Sequence, residues 1–334
     1  MNRWLACGVS GPSLGGEERQ LLAELGPGAV VLFARNIESD AQLCELTAAL
    51  AELPSHPVIA IDGEGGRVHR LRPLLGPLPS AVAAARAGCD ALAALGAALG
   101  AGCAHFGISV DYAPVVDVAR GGGHLGGEER CFGGSVDEVV AAAGIVIDAI
   151  ERFGVATCLK HYPGLGSGAV DSHLDLPMLD GGVVGDECAF LALQAPARAV
   201  MVAHALVPAF GEAVAPGSLS SRVLGRLDRD RCGPILSDDL EMGALERFGS
   251  LPERAAAALL AGCDQVLICN DMAARSAAVE HMAAWARRDP ALAAALTRAE
   301  ARLAGWGAGP VAMVEWFEVE EVAATACALA GVKR

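Results

Sequence analysis

Two short segments of this chain concentrate side chains that can move protons or attack carbon. Lys160-His161-Tyr162-Pro163-Gly164-Leu165-Gly166 is followed by Asp171-Ser172-His173, and Ile235-Leu236-Ser237-Asp238-Asp239-Leu240-Glu241-Met242 lies further on. Pro163, Gly164 and Gly166 cannot continue a helix or strand, so the first segment reads as an exposed loop. Asp171 and His173 are close enough for the carboxylate to orient the imidazole and raise its basicity, which is the arrangement of a general acid/base. An ordinary surface hydrogen bond produces the same Asp-x-His pattern. A metal reading of His161, Asp171 and His173 lacks helical H-x-x-x-H or Cys/His spacing, and neither metal nor other cofactor is expected. In the second segment, a carboxylate leaving an apolar strand can act as nucleophile toward an anomeric carbon. Side chains alternate along a strand, so only one of Asp238 and Asp239 is expected to face inward squarely, the other bonding the following helix. Spacing alone does not choose between them. No G-x-S-x-G elbow or phosphate-binding loop occurs, which removes the usual signatures of acyl and nucleotide-phosphoryl transfer.

These residues need a scaffold, and the apolar runs supply one. Strands are expected at 4–8, 29–33, 58–62, 108–116, 156–161, 199–204, 233–238 and 265–269, alternating with helical patterns at Ser39–Leu53, Ala81–Phe106, Asp137–Phe153 and Leu251–Gly262. Gly154 and Gly262 stand where helices should end. Near-continuous apolar strands between helices are the pattern of a parallel sheet covered on its faces. Eight such strands suit a closed (β/α)8 TIM-type barrel of the α/β class. The alternative, a doubly wound dinucleotide-binding sheet, lacks G-x-G-x-x-G directly after its first strand. No linker or repeat stands out, so residues 1–334 read as a single barrel domain, with residues 271–334 adding helices that close the outer ring and pack under the barrel. Glu315 to Glu321 reads as a solvated acidic stretch. The expected strand ends carry Asp62 with Glu64 and Arg70 beyond it, Asp117, Lys160 with His161, His204, Asp238 with Asp239, and Asn270. Barrels of this kind place function at that end of the strands.

Composition narrows the partners. The chain has 334 residues with 25 basic and 40 acidic side chains, a net charge of −15 that argues against nucleic acid and anionic membrane surfaces. Hydrophobic residues reach 53% and charged residues 19%, which excludes disorder. Mean hydropathy is positive at +0.40, but alanine supplies much of it and no long uninterrupted run of large apolar residues suggests membrane insertion. The 11 cysteines are odd in number, lie in apolar segments and form no C-x-x-C pair. They read as reduced, buried core residues of a cytoplasmic protein. Met1 to Cys7 faintly resembles a lipoprotein signal, but its apolar run is too short. The sequence is silent on oligomeric state.

The ordered motifs carry a resemblance. K-H-Y-P-G-x-G with D-S-H, then S-D-D-L, resembles the bacterial single-domain β-N-acetylhexosaminidase branch of family 3 glycoside hydrolases. Leu32-Phe33-Ala34-Arg35-Asn36, Ile61-Asp62-Gly63-Glu64-Gly65-Gly66-Arg67-Val68, Glu129-Arg130-Cys131-Phe132-Gly133, Met201-Val202-Ala203-His204 and Ala261-Gly262-Cys263-Asp264 continue the series, so that it covers residues 1–272. The resemblance implies a cytoplasmic barrel enzyme that removes non-reducing terminal GlcNAc, typically from muropeptides in cell-wall recycling. It implies Asp238 as the nucleophile of a retaining mechanism, His173 as acid/base and Asp171 as its partner. It implies substrate contacts from Asp62, Arg70, Arg130, Lys160 and His161, with His204 lining the same pocket and Asp239 a structural neighbour.

Retaining glycosidases need one nucleophile and one proton shuttle around an oxocarbenium-like transition state. An imidazole shuttle, unlike a carboxylate, does not repel an incoming anion, so phosphate is conceivable as acceptor in place of water. Two positions depart from the family pattern: Leu165 replaces His in P-G-H-G, and Gly63 replaces Gln in D-Q-E-G-G-R. These changes bear on rate and substrate range, not on the nucleophile or the acid/base. The rival readings are a sugar-binding protein with weakened turnover, a β-glucosidase-type enzyme on the same barrel, and a lyase using Lys160 as a Schiff base. Intact Asp171, His173 and Asp238 argue against the binder, and the Lys160-His161 context argues against the lyase.

Overall fold

In the computed structural model, which describes residues 1–172, 174–179 and 181–334, the apolar runs become eight parallel strands. They are β1 (Asn2–Gly8), β2 (Pro27–Leu32), β3 (Val58–Ile61), β4 (Val110–Asp111), β5 (Ala156–Tyr162), β6 (Ala199–Val202), β7 (Ile235–Asp239) and β8 (Gln265–Ile268). They close in the order β1-β8-β7-β6-β5-β4-β3-β2. Val30 pairs with Ile59 and Val200 with Ile235, while β1 returns to β8 through Leu5 and Val266. Each pairing shares apolar residues buried on both faces, which is why the strands read as continuous hydrophobic runs.

The outer ring comprises α1 (Gly16–Leu25), α2 (Asp40–Ala51), α3 (Cys89–His105), α4 (Val136–Glu151), α5 (Val183–Leu193), α6 (Leu251–Ala261) and α7 (Met272–Ala286), followed by α8 (Pro290–Leu303) and α9 (Trp316–Leu329). Ser39 and Ser135 accept the backbone N–H groups of Gln42 and Glu138, which starts α2 and α4 with capping boxes. Alanine and glycine set how close these helices come. A methyl group at Gly96 would lie 2.6 Å from the Val146 carbonyl oxygen, so α3 packs on α4 backbone to backbone. No helix among the described residues is long and apolar enough to cross a membrane.

Inside the barrel, Ala6, Ala29, Ala60 and Ala199 are fully buried and leave room that Tyr112, Met201 and Leu236 fill. Leu303 and Trp306, from the end of α8 and beyond it, join the same cluster, and the Trp306 indole donates to the Ala197 carbonyl at 3.1 Å. The barrel is therefore a packed core that opens into a cavity where side chains at the strand C-termini diverge.

The structure corrects several sequence expectations. The strand expected over 108–116 keeps regular pairing only at Val110–Asp111, because Pro114 has no N–H to donate; Val115 forms an isolated bridge to Lys160. The helix expected over 81–106 is two helices, Ala81–Ala87 and α3, parted by Gly88 at φ 100°. The acidic stretch is solvated as expected, with Glu315, Glu318, Glu320 and Glu321 exposed, and Glu315 and Glu318 also form the capping box that starts α9. All 11 cysteines are free, as expected, yet Cys89 and Cys188 are exposed and Cys44 is half-buried.

Asp264, between α6 and β8, ties this end of the chain together. Its carboxylate is fully buried, accepts the Ile235 N–H at 2.9 Å and Arg302 Nε at 2.8 Å, and lies 3.5 Å from both Arg229 and Arg298. Replacing Asp264 by alanine leaves a buried N–H unsatisfied and three guanidinium groups without their common anion, a cost of about 3 kcal/mol. The expected outcome is a lower urea midpoint with an unchanged denaturant slope; a midpoint equal to wild type would show that the arginines find other partners.

Candidate functional site

The C-terminal mouths of the strands enclose a cavity of about 340 Å³, within the range of small-molecule sites. Its polar lining comes from Asp62, Glu64, Arg70, Arg130, Lys160, His161, Asp238, Asp239, Glu241 and Asn270, and its apolar lining includes Val31, Phe33, Met201, Met242 and Leu267.

One wall is a buried ion cluster. Lys160, on β5, places Nζ 2.8 Å from Asp62 Oδ1 and 2.7 Å from Glu64 Oε1. Arg130 grips Glu64 with two parallel bonds of 2.8 and 2.9 Å, and Arg70 lies 3.5 Å from Asp62. Burial by itself raises a carboxyl pKa, but Lys160 and then Arg70 outweigh it for Asp62, which is held down to about 2. Lys160, joined by Arg130, likewise overcomes burial at Glu64 and holds its pKa below the ordinary value. Burial would lower the Lys160 pKa, yet Asp62 and Glu64 drive it upward. A lysine held this firmly as ammonium is a poor Schiff-base nucleophile and a good hydrogen-bond donor.

His161 extends this wall. Asp117, fully buried, accepts His161 Nδ1 at 2.8 Å, the His161 backbone N–H at 3.1 Å and the Leu165 N–H at 2.6 Å. A carboxylate on Nδ1 fixes the ring so that Nε2 is the nitrogen left for the cavity. The same carboxylate ties down the loop after β5 through the Leu165 backbone, whichever side chain residue 165 carries.

The facing wall is acidic. Leu236 and Asp239 on β7 pair with Gln265 and Leu267 on β8, so β7 carries one extra residue between the two pairings. This irregularity breaks strict alternation, and both Asp238 and Asp239 line the cavity, contrary to the expectation that only one would face inward. Asp238 Oδ1 accepts the Asp239 N–H at 2.8 Å, and Asp239 Oδ1 accepts the Glu241 N–H at 3.1 Å. Glu241 in turn accepts the N–H groups of Asn270 at 2.6 Å and Asp271 at 2.7 Å, joining the loops after β7 and β8. Burial raises the Asp239 pKa to about 7, with Glu241 and Asp238 adding to the rise against the Glu241 N–H bond.

Asp238 also lines a second pocket of about 30 Å³, together with Arg130, His161, Leu165, Asp171, Ser172 and His124. The Ser172 carbonyl accepts the Ala244 N–H at 3.3 Å, which anchors the loop after β5 to the turn after β7. His124 Nε2 lies 3.7 Å from Asp171 and 3.4 Å from Glu128. His173 lies outside the described residues.

The structure therefore brings Asp62, Arg70, Arg130, Lys160, His161 and Asp238 to one cavity, with Asp171 in the adjoining pocket. His204 does not join them. It is fully buried behind the wall, with Nδ1 2.7 Å from Ser218 Oγ and Nε2 2.9 Å from the Asp239 carbonyl oxygen, so its ring supports the end of β7 and does not line the pocket. Glu64 and Glu241 stand beside the motifs but their types and spacing give them no role, and Tyr112 and His124, which also line the pockets, carry no motif signal. Gly63 also gains an explanation. Its N–H donates to Asp111 Oδ1 at 2.8 Å, and a Cβ there would meet Asp111 Oδ2 at the same distance. The Asp111 carboxyl, its pKa driven up by burial, occupies the space that a side chain at 63 would need.

Comparison with known proteins bears on the family and the fold. Residues 9–299 match the glycosyl hydrolase family 3 N-terminal domain. The beta-hexosaminidase of Methylococcus capsulatus is 36% identical over 282 residues, covering 81% of this chain and 84% of the relative. The structure of a beta-N-acetylhexosaminidase from Beutenbergia cavernae superposes with a TM-score of 0.82 at 26% identity, over 92% of this chain and 97% of that one. NagZ from Neisseria gonorrhoeae, solved with N-trifluoroacetyl-D-glucosamine, gives 0.77 at 27% identity over 99% and 97%.

The Asp239 environment generates a test. A carboxyl whose folded pKa is raised from 3.8 to about 7 keeps its proton in the fold where the unfolded chain has already lost it. Its contribution to stability is present at low pH and is lost as pH rises through that window. The advantage of Asp239→Asn over wild type in urea melts is expected to grow from pH 4 to pH 8. A difference that stays constant with pH would show that Asp239 ionises normally.

Proposed function

The chain belongs to glycosyl hydrolase family 3 and is a glycoside hydrolase, and from this we propose that it is a retaining exo-β-N-acetylglucosaminidase acting on non-reducing terminal GlcNAc, with muropeptides of cell-wall recycling as its substrates. The observation that carries the reading is the position of Asp238. It lies on the boundary between the larger cavity, rich in groups that bond hydroxyls, and the small pocket lined by Asp171. A nucleophile and a proton shuttle on two sides of one glycosidic bond require such a boundary.

In this mechanism Asp62, Lys160, Arg130 and His161 Nε2 hold the sugar hydroxyls, with Arg70 beside Asp62. The buried cluster fixes its donors and acceptors before the sugar arrives, so little reorganisation is needed as charge develops. An Asp238 carboxylate oxygen attacks the anomeric carbon, and the bond to the leaving oxygen breaks. His173, oriented by Asp171, gives that oxygen a proton. The neutral imidazole then takes a proton from water as water attacks the anomeric carbon, and the bond to Asp238 breaks to release GlcNAc. Water, not phosphate, is the acceptor in this scheme; free GlcNAc as sole product with phosphate present supports it, and GlcNAc 1-phosphate would overturn it.

Purified protein is expected to hydrolyse an aryl β-GlcNAc in preference to the aryl β-glucoside. Asp238→Asn should reduce turnover by several orders of magnitude, because the covalent step has no substitute. His173→Ala should lose less on an activated aryl substrate than on a muropeptide, because a good leaving group needs little protonation. Equal losses on both substrates would remove His173 from the acid role, and undiminished turnover by Asp238→Asn would remove Asp238 from the nucleophile role.

A further inference from the structure

Away from the cavity, the outer ring brings three different metal-ligating side chains together. Asp40 and Cys44 lie one turn apart on α2, and His105 ends α3. A carboxylate oxygen, the thiol sulfur and an imidazole nitrogen from these residues lie within 4.8 Å of one another. From this convergence, and from the way His105 is held, we infer that Asp40, Cys44 and His105 form a binding site for a divalent cation of the zinc class.

The His105 ring supplies the second, independent observation. Its Nδ1 is 2.9 Å from the Val314 carbonyl oxygen, and a carbonyl can only accept, so Nδ1 carries a proton. The ring packs in one three-ring cluster with Phe106 and Trp316, with centroids 4.7 and 5.1 Å away, which restrains its direction. Nε2 is thereby aimed at Asp40 Oδ2, 2.9 Å distant. Without a metal this contact is a hydrogen bond between the ring and the carboxylate, and a cation that takes the place of the shared proton would bind both groups. A backbone carbonyl on the far nitrogen is the outer support that metal-bound imidazoles characteristically have.

The chemistry of the donors selects the ion. One thiolate, one imidazole and one carboxylate suit zinc better than calcium or magnesium, which take oxygen ligands. Zinc–ligand bonds of about 2.0–2.3 Å set tetrahedral ligand atoms roughly 3.4 Å apart, within reach of small side-chain rotations here. Water would complete the fourth position. Binding displaces the Cys44 proton to solvent and leaves the metal's oxidation state unchanged. The ion would tie α2 to α3 and, through Val314, to the segment that leads into α9. The site has no part in the glycosidase mechanism and stands or falls apart from it.

Cobalt(II) titration of chelator-treated full-length protein, reduced with a non-thiol reductant, tests the site. The expected result is a thiolate-to-cobalt charge-transfer band with tetrahedral visible bands, saturating at one equivalent and bleached by zinc. Cys44→Ser should abolish the charge-transfer band, and His105→Gln and Asp40→Asn should each weaken binding at least tenfold. Circular dichroism of each metal-free variant establishes that it is folded, and the three substitutions give independent readings. Zinc should also raise Tm in wild type and not in Cys44→Ser. Absence of the band at one equivalent would overturn the proposal. So would its persistence in Cys44→Ser, which would place the thiolate at another cysteine, or undiminished affinity in both His105→Gln and Asp40→Asn.

Discussion

Lys160 sits almost fully buried between two carboxylates, and much of the site is arranged around that fact. Taking an ammonium group out of water costs several kcal/mol unless charge and hydrogen bonds replace its hydration. Asp62 and Glu64 replace it, Arg130 balances Glu64, and Arg70 stands beside Asp62. Each of these groups is fixed because its neighbour needs it. The hairpin formed by Gly63–Gly65 and Val68–His69 matters for this reason, since it turns the chain back over the end of β3 and delivers Glu64 to Lys160. A cluster satisfied internally can still offer its outer lone pairs and N–H groups to a ligand without rearranging.

The opposite wall follows a different rule. Asp238, Asp239 and Glu241 are concentrated at the end of one strand, and burial with mutual repulsion favours a proton on Asp239. This leaves Asp238 with a backbone N–H from Asp239 and a position facing both pockets. His204 and Ser218 brace the Asp239 carbonyl from behind. The two walls thus divide the labour in the proposed reaction: a positive-leaning, pre-bonded wall holds the sugar, and an acidic wall supplies the attacking oxygen.

Much of this could be read from residues alone, for a physical reason. Parallel strands buried on both faces must be nearly all apolar, so a polar residue near their ends marks a place where charge or hydrogen bonds replace apolar packing; Asp62, Lys160, His161 and Asp238 stand out on that ground. What escaped depended on pairing and packing. The β7 irregularity that turns both Asp238 and Asp239 inward exists only through the register with β8. His204 lies just beyond β6, yet its ring meets Ser218 and a backbone carbonyl, a choice that sequence alternation could not make. The Gly63 departure has its explanation in Asp111, distant in sequence, whose carboxyl occupies the place a side chain at 63 would take. Leu165 is joined to the site by its backbone N–H, which any residue there would supply.

The most direct test is chemical trapping of the covalent intermediate. The protein is incubated with a slow, fluorinated β-GlcNAc donor bearing a good leaving group, then quenched, digested and sequenced by mass spectrometry. The predicted result is one sugar per chain, esterified to Asp238. A sugar found on Asp239 or Glu241, or full turnover of the donor with no covalent adduct at any stage, would contradict the assignment of Asp238 as the nucleophile.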